Sequence, residues 1–176
     1  SAGVPGEYTV KYVAPKVGLY SMAVESANVG GLTGSYFNNR WLFGTPVMTR
    51  VDPTVDFKWT AEDVITPTGK DYISVRWEGY VQPAFDEVYT FYVQADDGAR
   101  LWVNGELLFD QYENEVTTDG TYVEHSAATS VALTAGQLVD IKLEFRENTG
   151  SAMVKLLWSS TTQIVQTVPS YRLFSS

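Results

Sequence analysis

The sequence predicts an all-β protein built as an antiparallel β-sandwich or barrel. Apolar residues recur at every second position in several segments, and Gly-containing turn dipeptides separate those segments. No segment of the chain shows a 3.6-residue apolar period, which would indicate an amphipathic helix. Because a strand with one buried face produces a two-residue period, we expect antiparallel sheets and no long helix.

The two-residue period is clearest in four segments, residues 55–59, 73–77, 88–95 and 138–146. In the last of these, Ile141, Leu143 and Phe145 face one side of the predicted strand. Asn104-Gly105 lies between two apolar runs, "LWV" and "ELLF". Both central residues of a type I′ turn need a positive φ, so this dipeptide predicts a tight β-hairpin.

Length, charge and cysteine content restrict the kinds of partner. The chain has 176 residues and a mass of 19.5 kDa, which fits one main domain. Its 21 acidic and 12 basic residues give a net charge of −9, which disfavours nucleic acid and anionic membranes as partners. There is no Cys, so disulfides and thiolate zinc sites are excluded. No apolar run approaches the ~20 residues of a membrane span, so we expect no membrane insertion.

The first 27 residues differ from the rest and are predicted to form a separate β-hairpin. In "GEYTVKYVAPKVGLYSMAV", apolar residues alternate on either side of a turn at Pro15 and Gly18. The pattern resembles the last two strands of a filamin-type immunoglobulin repeat. The alternative is that these strands belong to the edge of the main domain. The Gly-rich stretch "ESANVGGLTG" is the expected junction, and residues 31–176 are expected to form the main domain.

The stretch "QADDGARLW" contains the polar feature with the clearest chemical meaning. It places Asp96 and Asp97 between two apolar strands, with Gly98 where a tight turn needs freedom in φ. A lone Asp-Asp-Gly is commonly a polar turn. Two adjacent Asp side chains in an extended chain point to opposite sides, whereas a cis bond between them brings both carboxylates to one side. This pair therefore indicates either a simple turn or a cation site.

From Gly31 onward the sequence resembles the PA-fourteen domain, which is named after a fragment of anthrax protective antigen. The resemblance rests on W-x-G at Trp77, an aromatic strand, D-D-G-x-R-L-W-V-x-G from Asp96, L-x-A-G from Leu133 and G-x-A-x-x-x-L-x-W from Gly150. It implies a β-sandwich of barrel-like character. In the adhesin and flocculin lectins of this family, two consecutive Asp residues joined by a cis peptide bond bind Ca²⁺, and the ion holds a sugar.

The resemblance also implies a set of site residues. The metal ligands would be Asp96, Asp97, Asn148 and Gly150, the last through its main-chain carbonyl. The sugar contacts would be Asp96, Asp97, Glu147, Asn148 and Thr149. Calcium suits such a set because it is a hard cation that takes six to eight oxygen ligands.

Other polar and aromatic residues give weaker indications. His125 is the only His, and no G-x-S-x-G motif supports a nucleophilic triad around it. The acidic residues of 110–119 match no EF-hand spacing and are typical of a solvated loop; they are Asp110, Glu113, Glu115 and Asp119. Trp41, Tyr112 and Trp102 are candidates for stacking on a sugar. We expect specificity to depend on residues 38–48 and 111–120.

The sequence therefore predicts a non-enzymatic, calcium-dependent carbohydrate-binding domain. We expect it to be a monomeric module of a larger secreted or cell-surface protein, where it would bind the terminal sugar of a glycan in cell adhesion. One alternative is a structural or protein-interaction module of a surface protein. A further alternative is an accessory domain of a glycosidase.

Overall fold

The structure is a computed structural model that describes Gly18 and residues 27–113, 123–126 and 130–176, with the backbone alone described for 123–126. The predicted hairpin of residues 1–27 lies outside this part of the chain except for Gly18 and Ala27. The strands are β1 (Asn28–Val29), β2 (Leu32–Phe37), β3 (Met48–Asp52), β4 (Asp56–Trp59), β5 (Ile73–Val81), β6 (Glu87–Asp96), β7 (Gly98–Val103), β8 (Glu106–Asp110), β9 (Val123–Ser126), β10 (Val131–Leu133), β11 (Val139–Glu147), β12 (Ala152–Ser160), β13 (Gln166–Thr167) and β14 (Leu173–Ser175). A single 3₁₀ turn spans Ser170–Arg172.

The described strands form two antiparallel sheets, as the two-residue period predicts. The large sheet has eight strands in the order β1-β14-β5-β11-β7-β8, and β2 pairs with both β5 and β3. The small sheet has six strands in the order β10-β6-β12-β13, with β4 beside β12 and β9 beside β6. In the ranges that the structure describes, no helix is both long and apolar enough to cross a membrane.

The core lies between the sheets and is filled by the inward-facing residues of the long strands. In β11, Ile141, Leu143 and Phe145 are buried, as their spacing predicts. The largest fully buried side chains include Trp77 from the large sheet and Trp158 from the small sheet. The predicted hairpin is also confirmed, because β7 and β8 pair around Asn104-Gly105, whose φ angles are +54° and +73°.

A buried carboxylate organises one flank of the large sheet. Asp52, at the end of β3, is 3% exposed. Its Oδ2 accepts hydrogen bonds from the Tyr36 hydroxyl at 2.6 Å and from Trp77 Nε1 at 2.7 Å, and its Oδ1 accepts one from Arg50 Nε at 2.7 Å. A Cβ at Gly34 would lie 2.5 Å from Asp52 Oδ2, so glycine leaves the space that the network needs. Side chains from three strands, β2, β3 and β5, therefore converge on this carboxylate.

Two of the connections between the sheets lie side by side at one end of the sandwich. The first crossing joins β6 of the small sheet to β7 of the large sheet through Asp97. The second joins β11 of the large sheet to β12 of the small sheet through residues 148–151. Pairing of Arg146 with Gly98 and of Met153 with Asp96 fixes the two crossings side by side. The register of four long strands therefore determines the geometry of this end.

We expect Asp52→Ala to lower the free energy of unfolding by about 3–5 kcal/mol, because it leaves buried donors and the Arg50 charge without their acceptor. Urea denaturation of both proteins measures the change. Glu106→Ala, at an exposed position in β8, is the matched control and should change stability by no more than about 0.5 kcal/mol. A loss below about 1 kcal/mol for Asp52→Ala would contradict the assigned role.

Candidate functional site

Three chain segments bring carboxylates together at the end where the chain crosses between the sheets. Asp96 and Asp97 come from the β6–β7 crossing, and Glu147 ends β11. Asp71 precedes β5, whose first residue, Ile73, pairs with Glu147. We call Asp71, Asp96, Asp97 and Glu147 the carboxylate corner.

The Asp96-Asp97 pair has the geometry that the family resemblance implies. The peptide bond between the two residues is cis, and each residue is 6% exposed. Gly98 was expected for its freedom in φ, but it is not among the glycines with positive φ. Its role is close approach, because a Cβ there would lie 2.3 Å from the carbonyl oxygen of Tyr112. The turn is therefore packed tightly beneath the segment that follows β8.

The 148–151 loop lies directly against this pair. The backbone N–H of Asn148 donates to Asp97 Oδ2 at 2.6 Å, and the carbonyl of Asn148 accepts from the N–H of Tyr72 at 2.8 Å. The backbone N–H of Gly150 donates to Asp71 Oδ1 at 3.0 Å. Thr149, between them, is exposed. The structure thus brings the predicted loop and the Asp pair together.

Glu147 is the most unusual residue of the corner. It continues the inward-facing series of β11 after Phe145 and has no exposed surface. Neither Oε1 nor Oε2 has a hydrogen-bond partner among the described residues. Burial, and then the charges of Asp97, Asp96 and Asp71, raises the pKa of Glu147 to about 9. Without a positive counter-charge, this carboxyl group holds a proton at neutral pH.

This observation bears on whether the corner fits a metal ion. In the described part of the chain, no group of three or more His, Cys, Asp and Glu side chains is arranged to hold one. The donor set is nevertheless all oxygen, and the two buried oxygens of Glu147 lack partners. A buried carboxylate is stabilised either by protonation or by a cation. The residues therefore have the chemistry that a hard cation requires.

An exposed aromatic rim borders the carboxylate corner. Arg40 Nη1 donates to Asn148 Oδ1 at 2.8 Å, and the Arg40 guanidinium carbon lies 5.4 Å from the ring centroids of both Trp41 and Tyr72. Trp41 is 54% exposed and Tyr72 is 55% exposed. Asn39 Oδ1 accepts from the backbone N–H groups of Trp41 and Phe43, which holds the loop in one shape.

The other stacking candidates have different environments. Tyr112 is 2% exposed and donates its hydroxyl to the Arg40 carbonyl at 2.7 Å, so it supports the loop and offers no free face. Trp102 is half-buried, with Arg100 and Lys142 over its ring. Trp102 lines a groove of about 710 Å³ over β5, β7 and β11. None of the four residues of the carboxylate corner lines this groove.

The remaining candidates from sequence contribute no described site. Glu115 and Asp119 lie outside the described residues, and so does the His125 side chain. Asp110 forms an ion pair with Arg100 and accepts a hydrogen bond from the N–H of Tyr112. Sequence reasoning did not identify Asp71 or Arg40. Both lie in loops without a periodic pattern, so only their contacts reveal them.

Comparison with known proteins identifies the fold independently. Residues 28–171 match the family model described as the PA14 domain. The chain is 40% identical over 153 residues to the anti-sigma-I factor RsgI3 of Acetivibrio thermocellus, covering 87% of this chain and 22% of that protein. It is 41% identical to a solved anti-sigma factor domain-containing protein, with a TM-score of 0.74, covering 83% of this chain and 48% of that one.

A PA14 sugar-binding domain from an RTX adhesin has the same fold at 14% identity, with a TM-score of 0.66, covering 84% of this chain and 99% of that one. At this identity the likeness concerns the fold alone. The chain spans about a fifth of the length of RsgI3 and about half of the length of the solved anti-sigma factor protein.

In the presence of a chelator, we expect the protein to become less stable as the pH rises from about 5 to 9. Unfolded Glu has a pKa near 4.3, so between this value and about 9 the folded protein holds a proton that the unfolded chain has released. The free energy of unfolding then decreases with pH, whereas below pH ~4 both states are protonated. Melting temperatures measured from pH 5 to 9 in EDTA test this expectation.

Glu147→Gln should remove this component, so that its curve falls less steeply than that of the parent. Glu78→Gln, at an exposed position of β5, is the control and should give a curve parallel to the parent. Parallel curves for Glu147→Gln and the parent would show that Glu147 does not titrate as described.

Proposed function

The chain belongs to the PA14 domain family, and from this premise we propose that it is a calcium-dependent carbohydrate-binding domain of a longer protein. The observation that carries the proposal is the Glu147 carboxyl group, which is fully buried beside the Asp96-Asp97 pair and has no hydrogen-bond partner among the described residues. A divalent cation would supply the compensation that the buried Glu147 carboxylate does not receive from the described residues.

Asp96, Asp97 and Glu147 would provide carboxylate ligands to the ion. Asp71 would add a further oxygen, and the 148–150 loop would add Asn148 Oδ1 and the Gly150 carbonyl. Asn148 Oδ1 already accepts from Arg40, but an amide oxygen has a second lone pair. Calcium suits this set better than magnesium does, because calcium tolerates irregular arrangements of six to eight oxygens. Glu147, expected from sequence as a sugar contact, has no exposed surface and is therefore assigned to the metal.

The sugar would bind on the solvent side of the ion. Two neighbouring hydroxyls can complete the coordination shell, and exposed Thr149 lies where it can donate or accept a hydrogen bond. Trp41 and Tyr72 offer exposed rings on which the apolar face of a sugar can stack.

The relatives favour a sensing role over adhesion. The sequence resembles anti-sigma factor proteins at about 40% identity, whereas the sugar-binding adhesin domain shares 14%. We therefore propose that this domain lies outside the cell, as part of a regulator that responds to a glycan. The alternative is a structural or protein-interaction module of such a regulator, in which case neither calcium nor sugar would bind.

Calcium should raise the melting temperature of chelator-treated protein by roughly 5–10 °C at 100 times its Kd, which corresponds to about 2.7 kcal/mol. Asp97→Asn should abolish most of this shift, because the neutral amide supplies neither the charge nor the second anionic oxygen. Differential scanning calorimetry with EDTA and then excess Ca²⁺ measures the effect.

The matched control is Asp140→Asn, which removes the same charge from an exposed position near the opposite end of β11 and should respond to calcium like the parent. If the parent protein itself shows no calcium response, the metal site is refuted. The structural-module alternative is then favoured.

Glycan binding should depend on calcium and on the aromatic rim. We expect binding on an array of plant and microbial glycans to disappear in EDTA. Trp41→Ala should weaken it by roughly threefold to tenfold, the contribution of one stacked ring. Tyr171→Ala is the control, because Tyr171 is exposed but lies in the 3₁₀ turn. Calcium-independent binding, or equal losses for both variants, would contradict the proposed sugar site.

A further inference from the structure

Arg40 has an environment that is unusual for a cation in so acidic a protein. Among the residues that the structure describes, it forms no ion pair with a carboxylate. Its guanidinium donates one hydrogen bond to Asn148 Oδ1 and lies between the rings of Trp41 and Tyr72. The chain as a whole carries a net charge of −9. At the edge of the site, the Arg40 guanidinium thus carries a positive charge that no carboxylate of the described residues pairs with.

The surroundings of Arg40 hold it in one orientation. Two aromatic rings contact its planar group, and the Asn39 hydrogen bonds to Trp41 and Phe43 fix the loop from which it extends. The Tyr112 hydroxyl also binds the Arg40 carbonyl. A guanidinium has five N–H donors, and one of these is used by Asn148. The group is thus prepared to bind a planar anion through two parallel hydrogen bonds.

Arg40 is also linked to the carboxylate corner by a short chain of hydrogen bonds. Its guanidinium contacts the side chain of Asn148, and the backbone N–H of the same residue contacts Asp97 Oδ2. A ligand that reaches the proposed calcium ion is therefore within the reach of Arg40 as well. An anionic group of that ligand would face two positive charges, the ion and the guanidinium.

We propose that the site selects a glycan whose sugars carry a carboxylate, that is, a hexuronic acid residue, and that Arg40 determines this specificity. The inference rests on the proposed carbohydrate-binding function and specifies its ligand. The uronate carboxylate pairs with the Arg40 fork, and the sugar ring or its neighbour stacks on Trp41 or Tyr72. A carboxylate is the natural group here, because it matches the planar spacing of the guanidinium N–H donors.

A purely structural role for Arg40 makes a different prediction. If Arg40 only held the loop in place, replacing it would lower the affinity for neutral and for acidic sugars by the same factor. If Arg40 only neutralised the negative charge of the carboxylate corner, we would expect its guanidinium to contact a carboxylate. The guanidinium instead donates a hydrogen bond to the amide oxygen of Asn148. The comparison of ligands with and without a carboxylate therefore separates specificity from support.

The test uses trigalacturonic acid and its fully methyl-esterified form, which share one backbone and differ in charge. Isothermal titration calorimetry in a fixed excess of Ca²⁺ measures both ligands with the parent, Arg40→Gln, Arg40→Lys and Arg172→Gln. The last variant is the matched control, since Arg172 also lies over an aromatic ring, Tyr171, but sits by the far end of β5, where its carbonyl accepts from Gln82. The calcium response of each variant is recorded separately by calorimetric melting.

The parent should bind the acid at least tenfold more tightly than the ester. Arg40→Gln should lower the affinity for the acid by roughly tenfold to a hundredfold, because it removes a charge-assisted pair of hydrogen bonds. Its affinity for the ester should change little. Arg40→Lys should recover part of the lost affinity, because lysine keeps the positive charge but lacks the two parallel N–H donors of the guanidinium. Arg172→Gln should behave like the parent.

Equal affinity of the parent for acid and ester would overturn the inference, and so would equal losses of both ligands in Arg40→Gln. If calcium stabilises the protein and a neutral glycan binds, but neither galacturonic ligand does, this inference fails while the proposed function stands. If calcium has no effect and no glycan binds, the proposed function itself fails.

Discussion

The burial of one carboxyl group, Glu147, beside three Asp residues is the constraint on which the proposed site depends. Glu147 occupies an inward position of β11, where the preceding residues of the series are apolar core. Its carboxyl group has no hydrogen-bond partner in the part of the chain that the structure describes, and it faces three Asp residues, so a proton or a cation must compensate its charge. At the end of β11, the apolar core therefore gives way to a carboxyl group, Glu147, that the fold can bury only with a proton or a bound cation.

The β6–β7 and β11–β12 crossings hold Asp96, Asp97 and Glu147 close together. Each crossing is anchored on both sides by long strands, and the pairs Glu147–Ile73 and Arg146–Gly98 leave the corner no freedom to open. The backbone N–H groups of Asn148 and Gly150 donate hydrogen bonds to the carboxylates of Asp97 and Asp71, respectively, which partly offsets the negative charge of these two Asp residues. Within the described ranges, no backbone donor reaches the Glu147 carboxyl group in the same way.

Much of the fold could be predicted because it depends on local pattern. Period-two strands and the Asn104-Gly105 hairpin follow from alternation and turn chemistry. The closeness of the Asp pair to the 148–150 loop was implied by the family resemblance alone. The inward position of Glu147 was also available from the alternation, which continues two residues beyond Phe145. Asp71 and Arg40 were not predictable, because loops without a period carry no register. The Asp52 network depends on strands far apart in sequence, and a single carboxylate in "RVDP" gives no sign of it.

Asn148 connects the two halves of the proposed site. Its backbone N–H contacts the carboxylate corner, and its side chain contacts Arg40 in the aromatic rim. An ion that draws Asp97 and Glu147 together acts on the same loop that holds the guanidinium, so metal and ligand can influence one another through two hydrogen bonds. Such linkage is reciprocal, which means that a ligand favoured by the ion also tightens the binding of the ion. A domain that bound calcium and a glycan as proposed would respond to the glycan most strongly where calcium is abundant.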